Sequence, residues 1–344
     1  MKPIKSYFEL ALQSGASDLH LVGGEKPSLR IEGNLKDIED ENLPLEELEK
    51  EIFTLFDATK KKIFEDNLEL DFGLAIRDNR FRVNLHRQNN TIGLAVRVIP
   101  KIIPTPQDLR FEPQLLQATN LMDGLILIVG PTGHGKSTTL ASMINEINKN
   151  RKAHIITIED PIEFIFKDDK SLIEQREVGT DTKSFAEALK HVLRQDPNVI
   201  LVGEMRDLET ISIVLTAAET GHLVLSTLHA ATAAEAIERI VDVFDGAQQK
   251  QILVQLSSVL RVIITQQLLP TVEGGRVAAR EILINNSAIA NMIKESNMSQ
   301  IYSAIQTGGE NGMQSMENSV KELLAAGIIS EEVAEKRMLK HREI

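Results

Sequence analysis

The chain has 344 residues, 42% hydrophobic and 26% charged, an ordinary globular composition of about two domains that excludes wholesale disorder. Lys and Arg number 38 against 50 Asp and Glu, and the net charge of −12 argues against a general nucleic-acid coat. There is no cysteine, which excludes disulfides, Cys-ligated zinc, iron–sulfur clusters and a catalytic thiol, and fits a reducing compartment.

Met1 to Leu12 carries Lys2 and Lys5 but no apolar core leading to a cleavage site. The longest strongly apolar stretches, such as Leu125 to Val129, fall far short of the roughly 20 residues that cross a bilayer. A cytoplasmic protein is expected, touching a membrane only through a partner. Ser6 to Gln13 reads as a short helix ended by Gly15, and Asp18 to Val22 as a strand turned by Gly23-Gly24. Leu29 to Leu35 reads as a second strand, and Leu45 to Phe56 carries a helical stripe. Asp71 to Ile76, Arg80 to Leu85 and Gly93 to Ile99 read as three further strands. Residues 1–99 are therefore expected to form a small α+β domain.

Three prolines, Pro100, Pro104 and Pro106, make the following segment a stiff, extended linker, taken as 100–112. Beyond it, apolar runs at 125–129, 154–158, 199–202 and 223–228 alternate with helical stretches. That is the α/β signature of a parallel sheet, and it sets a domain over 113–275. From about 276 to 344 the chain is expected to be mostly helical, with the stripe Val320, Leu323, Leu324 and a helix start at Ser330-Glu331-Glu332.

Residues 130–137, Gly130-Pro131-Thr132-Gly133-His134-Gly135-Lys136-Ser137, match GxxxxGK[ST] between the strand run 125–129 and the helical stripe Leu140, Met143, Ile144, Ile147. Glycines there let backbone N–H groups approach phosphate oxygens, and the helix start adds partial positive charge. The loop, with Thr138, is expected to bind ATP. Lys136 would reach the β- and γ-phosphates, and Ser137 would offer its hydroxyl to Mg²⁺. His134 is bulky for its position. Only its backbone N–H is needed there, and its side chain is expected to face solvent.

Acids close two strands. Glu159, Asp160 and Glu163 follow His154 to Ile158, and Glu204 follows Val199 to Val202. The C-terminal edge of an open α/β sheet is where ligands bind. The second strand resembles a Walker B strand whose usual Asp is Gly203, so Glu204 leads as the group that orients the attacking water; pairing with Arg206 is the plainer reading. Glu159 and Asp160 suit caps of neighbouring backbone equally well. His222 and His229 bracket a fourth strand. Their odd offset puts them on opposite faces, against a shared metal site. They read as hydrogen-bonded strand ends or as γ-phosphate sensors. Arg77, Arg80, Arg82, Arg87 and Arg97 stand against the single acid Asp78 in residues 77–97. They form either a solvated basic sheet face or a source of arginine fingers.

Taken together, GPTGHGKS, ITIEDPIEF (156–164), VILVGEMRD (199–207) and TGHLVLSTLH (220–229) resemble, in order and spacing, the Walker A, Asp box, atypical Walker B and His box of type II/type IV secretion ATPases. ASDLHL (16–21), QREVGTDTKSF (175–185), LLPTVEGGRVAAREI (268–282) and IQTGGENGMQSM (305–316) narrow the resemblance to PilT-type retraction ATPases of type IV pili. The resemblance implies a PAS-like N-terminal domain, a RecA-like P-loop motor domain and a helical C-terminal tail. It implies a homohexameric ring, with ATP held between one motor domain and the next subunit's N-terminal domain. It makes Glu204 the catalytic glutamate and Glu163 its helper. His222 and His229 become sensors, and Arg80, Arg82 and Arg97 the residues that reach across. It implies pilus retraction and twitching motility, driven at the inner face of the inner membrane on a platform protein. A paralogous ATPase is a further partner, and nucleic acid is not one.

Two departures stand out. His134 replaces a small serine, and AIANMIKE (288–295) replaces a motif like AIRNLIRE, with Ala290 and Lys294 at its arginines. Lys keeps the charge but not the fork. An assembly or secretion motor is the first alternative, but such chains look longer at the N-terminus and carry a four-cysteine element. An accessory paralogue that joins another ring is a second. A nucleic-acid motor is a third, with no Trp and two Tyr to stack on bases.

Overall fold

A computed structural model of the chain describes residues 1–31, 33–38, 41–77 and 79–342. Asp78 of the arginine-rich stretch lies outside them. The chain divides into two units: residues 1–102 with 161–165, and residues 103–160 with 166–344.

In the first unit, helix α1 (Ile4–Gln13) precedes strand β1 (Asp18–Val22), and Gly15 turns the chain at φ +61°. The single strand expected over 29–35 is instead a hairpin of β2 (Ser28–Ile31) and β3 (Asn34–Asp37), because Gly33 adopts φ +84° and reverses the chain. Helix α2 (Leu45–Ile52) passes into a 3₁₀ turn, and α3 (Ala58–Asn67) follows, its start capped by Asp57 accepting from the Lys60 N–H. Sequence reading misses α3 because its charged surface hides a single buried anchor, Phe64. Strands β4 (Glu69–Ile76), β5 (Asn79–Gln88) and β6 (Thr91–Ile99) complete an antiparallel sheet of order β3-β2-β1-β6-β5-β4. Along β5 the two-residue period is strict: Phe81, Val83 and Leu85 are buried, and Arg80, Arg82 and Asn84 take the other face. Phe81 meets Phe8 edge-to-face at 4.9 Å in a core shared with α1 and α2.

The second unit starts with α4 (Pro113–Ala118), β7 (Gly124–Val129) and α5 (Lys136–Asn150), then β8 (His154–Glu159) and β9 (Leu172–Glu177). There follow α6 (Phe185–Val192), β10 (Val199–Val202), α7 (Leu208–Glu219), β11 (Leu223–Leu228), α8 (Ala233–Asp242) and α9 (Gly246–Val259). A hairpin of β12 (Leu260–Pro270) and β13 (Arg276–Ile284) leads to four helices, α10 (Ser287–Lys294), α11 (Met298–Thr307), α12 (Met316–Ala325) and α13 (Glu331–Arg342). The sheet order is β13-β12-β7-β11-β10-β8-β9, with every neighbouring pair parallel except β12–β13. Strands β7, β10 and β11 are buried at every residue, as parallel strands covered on both faces must be.

Residue 276 therefore opens a strand and not the expected helical region. The turn Gly274-Gly275, at φ +89° and +87°, folds Arg276 back onto Pro270, and the helices begin at Ser287. Among the described residues no helix is long and apolar enough to cross a membrane.

Candidate functional site

The carboxyl ends of β7, β10 and β11 converge on one edge of the parallel sheet. After β7 the chain enters the loop 130–135. Gly130 has φ +148°, and a Cβ there would stand 2.4 Å from the Gln266 carbonyl oxygen on β12. Gly135 caps α5 in the left-handed region (φ 77°, ψ 20°) with no side-chain cap. The first N–H groups of this 15-residue helix form its positive end, where the loop 130–135 runs into it. Lys136 is buried, and its Nζ donates to the carbonyl oxygens of Gly130 (2.8 Å) and Pro131 (2.9 Å). The amine is curled over the loop where phosphate oxygens would lie. Ser137 and Thr138 are half-buried on the first turn.

His134 does not face solvent as expected. Its Nδ1 accepts from the Leu268 N–H at 2.9 Å, and its carbonyl accepts from Gln266 Nε2 at 2.8 Å. Burial lowers its pKa, and Lys136, Arg276 and Arg337 lower it further. The imidazole is therefore neutral, with its proton on Nε2, and it pins the loop to β12. Beside the first turn of α5 lies a cavity of about 640 Å³, lined by Thr138, Arg276, Val277, Leu268 and Ile328 among others. Arg276 leans toward the Gly133 carbonyl at 3.5 Å.

Glu204 follows Gly203 at the end of β10 and is 18% exposed. Its Oε1 holds Arg206 at 2.7 Å, so the plainer pairing exists, while Oε2 lies 3.9 Å from His229 Nε2. His229, one residue past β11, has its pKa lowered by burial and then by Lys136, against the opposing effect of Glu204. The loop lysine, the glutamate and His229 thus share one neighbourhood. His222 does not join them. It sits before β11, at the other end of that strand, with Nδ1 against the Ala217 carbonyl (3.0 Å) and Thr220 Oγ1 (3.1 Å). Glu159 Oε1 accepts from the Thr157 hydroxyl (2.7 Å) and the Gln175 amide (3.3 Å), side chains and not the neighbouring backbone that a cap would serve. Asp160 ends the same segment of the second unit.

The other predicted residues belong to the first unit. Arg82 and Arg97 are direct partners across β5 and β6, and Arg97 faces Asp18 across β6 and β1. Arg80, Arg82 and Arg97 therefore share one sheet face. Arg97 is 63% exposed and donates to Asp18 at 3.1 Å. Segment 161–165 lies on this unit: Arg80 Nε donates to the Ile162 carbonyl at 3.0 Å, and Glu163 stands 3.9 Å from Arg82.

Sequence reasoning missed Gln266 and Arg280 in the β12–β13 hairpin. The signal was available: two glutamines, 266 and 267, interrupt an apolar strand, and Arg280 stands inside an apolar one.

This geometry agrees with what the chain is similar to. A family model described as "Type II/IV secretion system protein" matches residues 1–335. The type IV pilus retractation ATPase PilT of Pseudomonas aeruginosa is 45% identical over 335 residues, covering 97% of each chain. A twitching motility protein of Neisseria gonorrhoeae is 45% identical over 313 residues, 90% of this chain and 84% of that one. The crystal structure of the pilus retraction motor PilT with bound ADP superimposes with a TM-score of 0.90 at 46% identity, covering 97% of this chain and 96% of that one.

Proposed function

The chain belongs to the type II/IV secretion system protein family, and from that premise we propose that it is an ATPase that drives retraction of a type IV pilus. One observation carries the reading: Lys136, Glu204 and His229 gather at the mouth of a phosphate loop, in a chain that matches a retraction ATPase along almost its whole length.

The residues fit a nucleotide. The start of α5 turns the helix's partial positive charge toward the loop, and Lys136 already holds its amine against two oxygens of the loop. On binding, the amine transfers from the Gly130 and Pro131 carbonyls to the phosphates. The base and ribose go into the cavity lined by Thr138, Arg276 and Leu268. Mg²⁺, when bound, neutralises charge on the β- and γ-phosphate oxygens. Ser137 would hold it. Glu204 orients the attacking water and draws its proton, with Arg206 holding the carboxylate and His229 standing 3.9 Å from it.

The proposal extends to the assembly. A homohexamer would present the Arg80, Arg82 and Arg97 face of one subunit to the nucleotide of the next. The ring would work at the cytoplasmic face of the inner membrane against a platform protein, with or without a paralogous ATPase and without nucleic acid. Deletion in the host, scored for surface pili and surface motility together, tests it. Abundant pili without motility is the expected result. Loss of pili would make the chain an assembly motor, and unchanged pili and motility would make it an accessory subunit.

A further inference from the structure

Arg280 on β13 is a buried cation, 1% exposed, to which the phosphate chemistry gives no role, although it borders the cavity given above to base and ribose, as do Gln266, Leu109 and Arg110. Its guanidinium makes four hydrogen bonds in two directions. Toward the start of the unit, Nη2 donates to the Leu109 carbonyl at 3.0 Å. Nη1 donates to the Arg110 carbonyl at 3.2 Å and to Glu112 Oε2 at 3.0 Å. The plane also lies over Phe111, 5.4 Å from its ring centre. In the other direction, Nε donates to Gln266 Oε1 at 2.9 Å.

Gln266 touches the phosphate loop throughout. The same Oε1 accepts from Thr139 in the first turn of α5 at 2.8 Å, and Nε2 donates to the His134 carbonyl at 2.8 Å. Its backbone oxygen closes against Gly130, where a Cβ would stand at 2.4 Å. A loop that rearranges around phosphates therefore moves the amide of Gln266. That amide shares its oxygen with Arg280, whose remaining bonds hold 109–112. Residues 109–112 lead directly back to the proline-rich segment that joins the two units. Planar forks of this kind transmit orientation as well as charge, which a point cation does not.

We propose that Gln266 and Arg280 form a relay that passes the nucleotide state of the phosphate loop to residues 109–112, Arg280 acting as a positioning residue and not a catalytic one. The proposal rests on the reading of the loop as an ATP site.

Hydrogen exchange of the full-length protein, with and without ADP, tests it. In the wild type, ADP protects the amides of 130–139 and also changes exchange over 107–112. In Gln266→Met, at ADP concentrations that saturate the variant, protection of 130–139 is still seen and the change over 107–112 is lost. Arg280→Lys keeps the charge but not the fork, and loses the same response. Should Gln266→Met not fold, Gln266→Glu keeps both acceptor bonds but sets a carboxylate oxygen against the His134 carbonyl oxygen, which detaches residue 266 from the loop there, and it is expected to weaken the response over 107–112. A full response over 107–112 in a folded Gln266 variant that binds ADP overturns the relay. So does a wild type in which ADP protects 130–139 and leaves 107–112 unchanged. Absence of any ADP protection at 130–139 in the wild type instead overturns the ATP-site reading itself.

Discussion

The two units place their charges in opposite ways. In the second, Lys136, Glu204 and His229 stand beyond the ends of buried strands, where backbone N–H groups and loop turns converge. In the first, Arg80, Arg82 and Arg97 stand along one sheet face, every second residue, over a core of Phe81, Val83 and Leu85. A parallel sheet covered on both faces can offer chemistry only at its edge. An antiparallel sheet with one open face can offer it across its width. One unit is built to enclose a ligand and the other to present a surface.

The sharpest way to break that contrast is to remove the surface. If the open face supplies a finger, alanine at Arg82 or Arg97 should lower ATP turnover about 10³-fold, the magnitude typical of a finger delivered from a neighbour. Mixing that variant with a Lys136→Ala subunit should restore part of the activity. Equal turnover in both alanine variants and the wild type would make the face a solvated surface only. Next comes the enclosed edge. Glu204→Gln should keep ADP binding, read by calorimetry, while steady-state turnover falls about 10²- to 10⁴-fold. Near-normal turnover would move the base elsewhere.

The cores give a smaller effect. Leu127 in β7 is fully buried, and Leu127→Ala should cost about 2–5 kcal/mol of stability in denaturant titration. Asp207 caps α7, accepting from the N–H and hydroxyl of Thr210, and Asp207→Ala should cost about 1 kcal/mol. The smallest effect is a pH slope. Burial and nearby cations hold the His134 pKa below its ordinary value of about 6.5. Below that value the unfolded chain binds a proton that the folded chain resists, so stability falls with acid until the lowered folded value is passed. Thermal unfolding of the nucleotide-free protein should therefore drop between about pH 7 and pH 5. His134→Asn should shallow that drop; an identical slope would assign it to His20 or His229, whose values are also lowered.

The legibility of the molecule follows the same contrast. The phosphate loop, β8, β10 and β11 were readable because each is a contiguous apolar run closed by polar punctuation. The arginine face was readable as a charge run, but its single-sidedness depends on β1, β5 and β6 lying in register, which no local pattern encodes. The β2–β3 hairpin hid behind one glycine. The β13 strand hid because its pairing partner, β12, had itself gone unread. His134 was misjudged for a related reason. Its environment is the Leu268 N–H, 134 residues away in sequence, so the residue looked incidental until the sheet put them together. Gln266 and Arg280 share that history: polar groups inside apolar strands whose partners lie at the far end of the domain's chain.

One feature of the first unit bears on how the protein is made. Its sheet is complete by Ile99, yet the segment that supplies the Ile162 carbonyl to Arg80 and Glu163 to Arg82 comes about 60 residues later. At about 5–20 residues per second, a ribosome needs roughly 3–12 s to synthesise what lies between. Throughout that interval every strand of the sheet has been synthesised and its last piece has not. The phosphate loop leaves the ribosome before that piece does, so a transcript truncated after α5 would encode the nucleotide loop and an arginine face that lacks this piece.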